Sequence, residues 1–402
     1  MGNGMTRYPR IHLTMDNSFA TKRWVAPSEW ALVIRDFGIR CIEASADTEM
    51  DPFFCGSEYL DEWLEQVREA SRTLDVRVVN FYTGYTTYRT LGLAHPDARI
   101  RQRVVNDWLK VMARVAARIR AGLGFYIHAF SERVLQDPAA CSEATDALYD
   151  SLAEIARFAG EAGPIPIIVE QMYSPHQIPW TVDGTLEYVA EVSRRSGFPA
   201  YVAIDTGHQT GQRRLVRPPR AAIERGLKGK GLVPYLGSES AYRIFEEASR
   251  RGGIASAEAV ADVEKEMDRF PYLFADARDC DLYYWLEEVG CYSPIVHLQQ
   301  CDGESSLHLP FIPEYNRTGT VDPLKVLQAI QRSYNRSPPN GMPARCADIY
   351  LTFEIFPHTA DRPRDILPVL AESVKYWRRW VPEDGLSLDS LLSRWPNEGS
   401  AG

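Results

Sequence analysis

The sequence predicts an α/β protein, a (β/α)8 TIM barrel with a long insertion between its sixth and seventh strands. Two observations carry this reading. Eight short runs rich in Val, Ile, Tyr and Phe alternate with longer amphipathic segments rich in Glu, Arg and Ala. The runs are nearly continuous in apolar residues, the pattern of parallel strands covered by helices on both faces. A third observation works by exclusion: no G-x-G-x-x-G follows any run, which weakens an open dinucleotide-binding sheet.

The strands are expected at RIHLTM (10–15), IRCIEAS (39–45), VRVVNFYTG (76–84), GFYIHAF (124–130), PIIVEQM (166–172), AYVAIDTG (200–207), PIVHLQQ (294–300) and DIYLTFEIF (348–356). Helical patterns fall between them at 28–37, 58–74, 98–121, 143–161, 184–196, 219–289, 322–333 and 363–380. Ser28 with Glu29 gives the first helix a start, and Asp322-Pro323 reads as a cap followed by proline at the first helical position.

The 92 residues from Asp205 to His297 far exceed one connecting helix. An insertion of about 210–290 is expected, within one barrel domain of 1–402 that ends in an exposed extension of about 382–402. Its stretch 212–240 is basic and rich in Pro and Gly, and reads as a lid or an oligomer contact on the catalytic face. Arg213, Arg214, Arg217 and Arg220 lie there, either as contacts to a phosphorylated substrate or as a solvated loop.

Composition sets the outer limits. With 45% hydrophobic residues and a net charge of −9, the chain reads as a globular protein without a broad nucleic-acid or anionic-membrane surface. No apolar run approaches a membrane span, and the start MGNGMTRYPR lacks a signal-peptide core and matches myristoylation only loosely. Seven dispersed cysteines without a C-x-x-C pair suit reduced thiols, so a cytoplasmic location is expected.

Barrels of this kind place their chemistry at the C-terminal ends of the strands. Strand five ends in Glu170, strand six in Asp205 with His208 after it, strand seven in His297 and Gln299-Gln300, and strand eight carries Glu354. A lone strand-end Asp commonly caps the next helix. Glutamates inside the apolar runs PIIVEQM and YLTFEIF are harder to explain that way, since an unpaired Glu is almost never fully buried. Such an oxygen-rich set suits Mn²⁺, with Mg²⁺ or Co²⁺ as alternatives. Glu43, His128, Tyr82 and Tyr85 could line a sugar pocket, with Trp24 and Trp180 as its walls, or be core and rim residues.

The motifs IVEQM, DTGH, VHLQQ and FEIF, with GTVDP before the seventh helix, resemble the xylose-isomerase-like barrel superfamily. The nearest branch is the sugar and sugar-phosphate isomerases and epimerases that include the ketose 3-epimerases. The resemblance implies Glu170 and Glu354 as acid/base pair and metal ligands, Asp205 as a third ligand and His208 as a substrate contact. The family's His-x-His on strand seven reads His297-x-Gln299 here, so Gln299 is the expected ligand and His297 the second choice. His176 replaces a further Glu of the family. Ser305 replaces its substrate-binding Arg, for which His308 or Arg317 could substitute. The implied reaction is proton transfer beside a carbonyl through an enediolate, on a small carbohydrate, in a homo-oligomeric isomerase or epimerase. The alternative is a lyase acting on an oxidised sugar, as in C-glycoside cleavage, and a non-catalytic sugar-binding barrel ranks lower. A barrel endonuclease is disfavoured, because it would need more zinc ligands and a basic face.

Overall fold

The computed structural model describes residues 7–83, 92–127, 130–250 and 257–395. Eight parallel strands close into a ring in chain order: β1 (Arg10–Asp16), β2 (Cys41–Ser45), β3 (Arg77–Thr83), β4 (Gly122–Phe125), β5 (Ile167–Glu170), β6 (Ala200–Asp205), β7 (Ile295–Leu298) and β8 (Asp348–Phe353). β8 returns to pair with β1 over six registered residues, whereas β1 meets β2 only at Met15–Ile42 and Asp16–Glu43. The lower part of that seam is filled by β9 (Leu386–Ser387), antiparallel to Arg10 and Ile11. The chain beyond Pro382 is therefore not simply exposed: Leu388 and Leu391 are fully buried.

Strand periodicity sorts the side chains into two cores. Ile11, Leu13 and Ile349 belong to the large cluster that also holds the helix residues. Inside the barrel the apolar filling is thin, with Ile168, Ala203 and Ile295 at its centre beside Tyr201 and Tyr350. Near the C-terminal ends the interior is polar. Buried apolar surface contributes roughly 25 cal/mol per Å², so a polar layer at that level forgoes stabilisation that aliphatic side chains would supply there.

The helices start where local chemistry directs. Helix Pro27–Asp36 begins one residue ahead of the expected start, because Pro27 occupies the first position and Glu29 bonds back to the Ala26 N–H at 3.1 Å. Asp322 caps Pro323–Asn335 by accepting from the Lys325 N–H at 2.9 Å. Helix Pro138–Ala162 starts five residues before the apolar pattern does, since Asp137 caps it and Pro138 follows.

Between β6 and β7 lie helices Gln209–Gln212, Arg220–Leu227, Glu239–Arg250, Ala257–Met267 and Leu282–Val289. Phe245, Val260, Val263 and Met267 are buried among them. Tyr272 donates to the Leu135 carbonyl at 2.8 Å, and the Glu239 N–H donates to Gln136. These bonds seat the segment against the loop after β4, on the rim where the strands end. No helix among the described residues is long and apolar enough to cross a membrane.

At the opposite end, Asp348 accepts from Arg10 at 2.7 and 2.6 Å and lies 2.9 Å from His12 Nε2. Burial alone would raise this carboxyl, but its bonds to His12 and Arg10 hold it below the ordinary range. A depressed carboxyl stabilises the fold above the unfolded value near ~4 and loses that contribution as pH falls through it toward the folded value. Asp348→Asn should lower stability at neutral pH by about 1–2 kcal/mol, the scale of charge-assisted bonds partly open to water. Denaturant melts at pH 7 and pH 3 check it: the gap between variant and parent should narrow at pH 3. An equal gap at both would refute the assignment.

Candidate active site

Five strands contribute to one buried cluster. His297 of β7 stands at its centre, with Nδ1 2.9 Å from Glu170 Oε1 and 3.6 Å from Glu354 Oε2, and Nε2 2.8 Å from Glu43 Oε2. Register brings them together, since Asp205 pairs with His297 across β6 and β7 and Glu170 with Ala203 across β5 and β6. Glu354 follows the last residue of β8 and donates its N–H to the Leu298 carbonyl. Tyr82 donates to Glu170 and Asn80 to Glu43. Gly122 and Gly124 of β4 leave room for Asn80, whose amide a Cβ at either place would meet at 2.5 Å.

Asp205 combines the two roles open to a strand-end Asp. Its Oδ1 accepts from the N–H groups of Gly207 at 2.6 Å and His208 at 3.0 Å, closing the turn after β6, while the carboxylate faces the cluster. Gln299 lies just above. Its amide nitrogen donates to both Asp205 oxygens at 2.9 Å, and its oxygen accepts from the His308 N–H at 2.7 Å and the Ser306 hydroxyl at 3.1 Å. Gly207 is needed beneath it, because a Cβ there would sit 2.6 Å from the amide carbon. The bond to Gln299 holds His308 at φ +50°, in the left-handed region, with its ring stacked on Phe356 and Nδ1 3.5 Å from Glu354.

The charges are strongly coupled. Burial would make His297 less basic, yet Glu354, Glu43 and Glu170 raise it well above the ordinary histidine value. Burial raises Glu170 too, but His297 outweighs it and holds that carboxyl down. For Glu354 burial prevails over His297 and His308, and the carboxyl is raised. Asp205 falls to about 2 despite burial, held there by His208, His308 and His297. Asp16, which also lines the cavity, is pushed up to about 7 by burial and by Glu43 and Glu354.

Donor atoms of Glu170, Asp205, His297 and Glu354 all lie within 4.8 Å of one another. A hard cation with bonds near 2.1 Å spans about 4.2 Å between opposite ligands, so the four could close on one ion with a side-chain adjustment of a few tenths of an ångström. Glu354 Oε2 is buried without a hydrogen-bond partner among the described residues, as an oxygen reserved for a cation or a substrate would be. Glu43 on the far nitrogen of His297 fixes the orientation of the imidazole, as carboxylate–imidazole pairs do.

The family described as the xylose isomerase-like TIM barrel matches residues 32–232, half of the chain. The chain belongs to this family. D-erythrulose 1-phosphate 3-epimerase of Brucella abortus (strain 2308) is 21% identical over 372 residues, covering 91% of this chain and 95% of that protein. A crystal structure from Rhodospirillum rubrum ATCC 11170 with a provisional xylose isomerase name superposes with a TM-score of 0.64 at 19% identity, covering 92% of this chain and 99% of that one. D-psicose 3-epimerase, solved in the presence of D-fructose, gives 0.50 at 11% identity over 92% and 98% of the two chains. The structural likenesses share the fold.

In this xylose isomerase-like barrel, Glu170, Glu354, His208 and His308 open into one cavity of about 600 Å³, with Tyr82, Tyr126, Tyr173 and Phe356 among its walls. His208 is turned by a 2.7 Å bond from Nδ1 to the Gln171 carbonyl and an edge-on contact with Tyr173. His176 lines neither this cavity nor its neighbour. It bonds the Phe130 carbonyl at 2.8 Å and lies 3.4 Å from Glu132. Arg317 lies on a separate groove with Glu372 and Tyr376. Trp180 is buried outside the cavity lining, Trp24 packs on Phe19, and His128 and Tyr85 fall outside the described residues. Asn80 and Asp16 are site residues that the sequence reading did not single out.

Proposed function

We propose that the chain is a divalent-metal-dependent epimerase or isomerase of a ketose or ketose phosphate; the Brucella relative is named as a 3-epimerase of a ketose phosphate. One observation carries this reading: Glu170 and Glu354 reach the same point of the cavity from strands three places apart in the ring. A substrate carbon between them can lose a proton to one carboxylate and receive one from the other.

Glu170, Asp205, His297 and Glu354 are the ligands we assign, with Gln299 and Glu43 orienting Asp205 and His297. A bound Mn²⁺ or similar ion would supply Lewis-acid stabilisation of the negative charge that develops on the substrate oxygens. Glu170 is one member of the acid/base pair, placed to take the proton from carbon. Glu354 is the second member of the pair, which returns a proton to the carbon. His208 and His308 flank the cavity as hydrogen-bonding groups for substrate hydroxyls.

The test is solvent-deuterium exchange over ketoses and their phosphates with added Mn²⁺, read by NMR. Incorporation at the carbon beside the carbonyl is the expected result. A complete absence of exchange across the panel would refute the reading.

A further inference from the structure

The cavity around Glu170 and Glu354 does not end at its histidines. His208, His308 and Tyr173 also line a second cavity of about 450 Å³, whose other walls include Ser174, Thr210, Arg214, Ser305, Ser306 and Glu304. The two spaces lie on either side of the same three side chains. Both carry serine and threonine hydroxyls, but the first holds Asp16, Asp47, Glu170 and Glu354, whereas the second holds Arg214 with Glu304 as its carboxylate.

The four arginines between positions 213 and 220 divide sharply. Arg217 is paired with Asp268 at 2.6 Å, Arg220 with Glu264, and Arg213 donates to the Gly303 carbonyl beside a separate pocket. Arg214 has no side-chain hydrogen bond or ion pair among the described residues, and its side chain lines the second cavity. A guanidinium is a fixed charge with a planar fork of donors, suited to two oxygens of an oxyanion at once.

We propose that this second cavity is a phosphate subsite, so that the substrate is a ketose phosphate whose phosphoryl group lies on Arg214 while its carbonyl end lies between Glu170 and Glu354. The inference rests on the epimerase reading of the neighbouring cavity. A phosphate monoester offers three terminal oxygens. The arginine fork serves two, and on the same wall the Ser305 hydroxyl has no bond among the described residues and Ser174 only a 3.4 Å bond to Gln177, whereas Thr210 and Ser306 already bond the Gly207 carbonyl and Gln299. With a net charge of −9 the chain has no general attraction for anions, so selection must come from local donors. Glu304 shares the wall and opposes an anion. It and Arg214 are both exposed, so water and salt weaken the two charges alike, and the planar donor fork rather than net charge favours the anion.

The experiment uses the full chain supplied with Mn²⁺, in parent form and as Arg214→Ala, Arg214→Lys and Glu304→Gln. The probes are D-erythrulose 1-phosphate, D-ribulose 5-phosphate, D-xylulose 5-phosphate and the corresponding free ketoses. Binding is measured by calorimetry and turnover by deuterium exchange. The parent should prefer esters over free ketoses at least tenfold. Arg214→Ala should cut that preference about 10–100-fold, the scale of a charge-assisted contact, with Arg214→Lys intermediate and Glu304→Gln improving ester binding. Free ketoses bound as well as esters, or a preference unchanged in Arg214→Ala, would overturn the subsite. The two readings fail separately: exchange on free ketoses without any dependence on Arg214 removes the subsite alone. Ester binding that needs Arg214, without exchange on any probe, supports the subsite and removes the epimerase reading.

Discussion

Glu170→Gln and Glu354→Gln are each expected to reduce deuterium exchange by at least about 10²–10⁴-fold, the usual contribution of one general acid or base. Either change keeps the side-chain volume and removes one negative charge. At Glu170 the amide could still receive the Tyr82 hydroxyl and face His297 Nδ1, which lies 2.9 Å from the carboxylate. It could not take a proton from carbon. At Glu354 the amide keeps the shape of the carboxyl but loses its charge beside His297 at 3.6 Å and His308 at 3.5 Å. Both variants should keep the fold, and circular dichroism alongside the exchange assay separates lost chemistry from lost fold. Near-parental exchange in either variant would remove the acid/base assignment.

Chelation should have a comparably large effect. Glu43, Glu170, Asp205 and Glu354 converge on a volume whose deeply buried centre holds one imidazole. Converging buried carboxylates repel one another unless positive charge lies among them. Removal of the ion by EDTA should drop activity to background and lower the melting temperature by a few degrees. A site filled at 100 times its Kd adds about 2.7 kcal/mol to stability. Added Mn²⁺ should restore both readings. Activity and melting temperature that survive exhaustive chelation, verified by elemental analysis, would exclude the metal-dependent reading.

The barrel was legible because its eight strands announce themselves as separate apolar runs, and Glu170 and Glu354 because a glutamate inside such a run needs a reason. Glu43 in IRCIEAS carries the same signature, yet it stands out only through His297, 254 residues away across the barrel. The choice between His297 and Gln299 was beyond sequence. Both lie on the inward side of strand seven, and they differ only in height along the barrel axis, which depends on how neighbouring strands are staggered. The lower residue enters the carboxylate cluster and the upper one ties Asp205 to His308. Asp16 was missed because the first strand was ended one residue short of it. The arginines were visible as a basic stretch, but only folding shows which of them are already neutralised.

The short antiparallel strand at Leu386–Ser387 bears on how the chain is made as well as how it stands. Together with Asp384, which accepts from the Leu13 N–H at 2.8 Å across 371 residues, it occupies the part of the β1 edge that β2 leaves open. Contacts so distant in sequence form late, after slower non-local loops have closed. During synthesis every metal-site side chain emerges from the ribosome before residues 384–387 do, and the nascent barrel waits with one unsealed edge. The seam at the first strand is thus completed by the part of the chain that is made after all eight barrel strands.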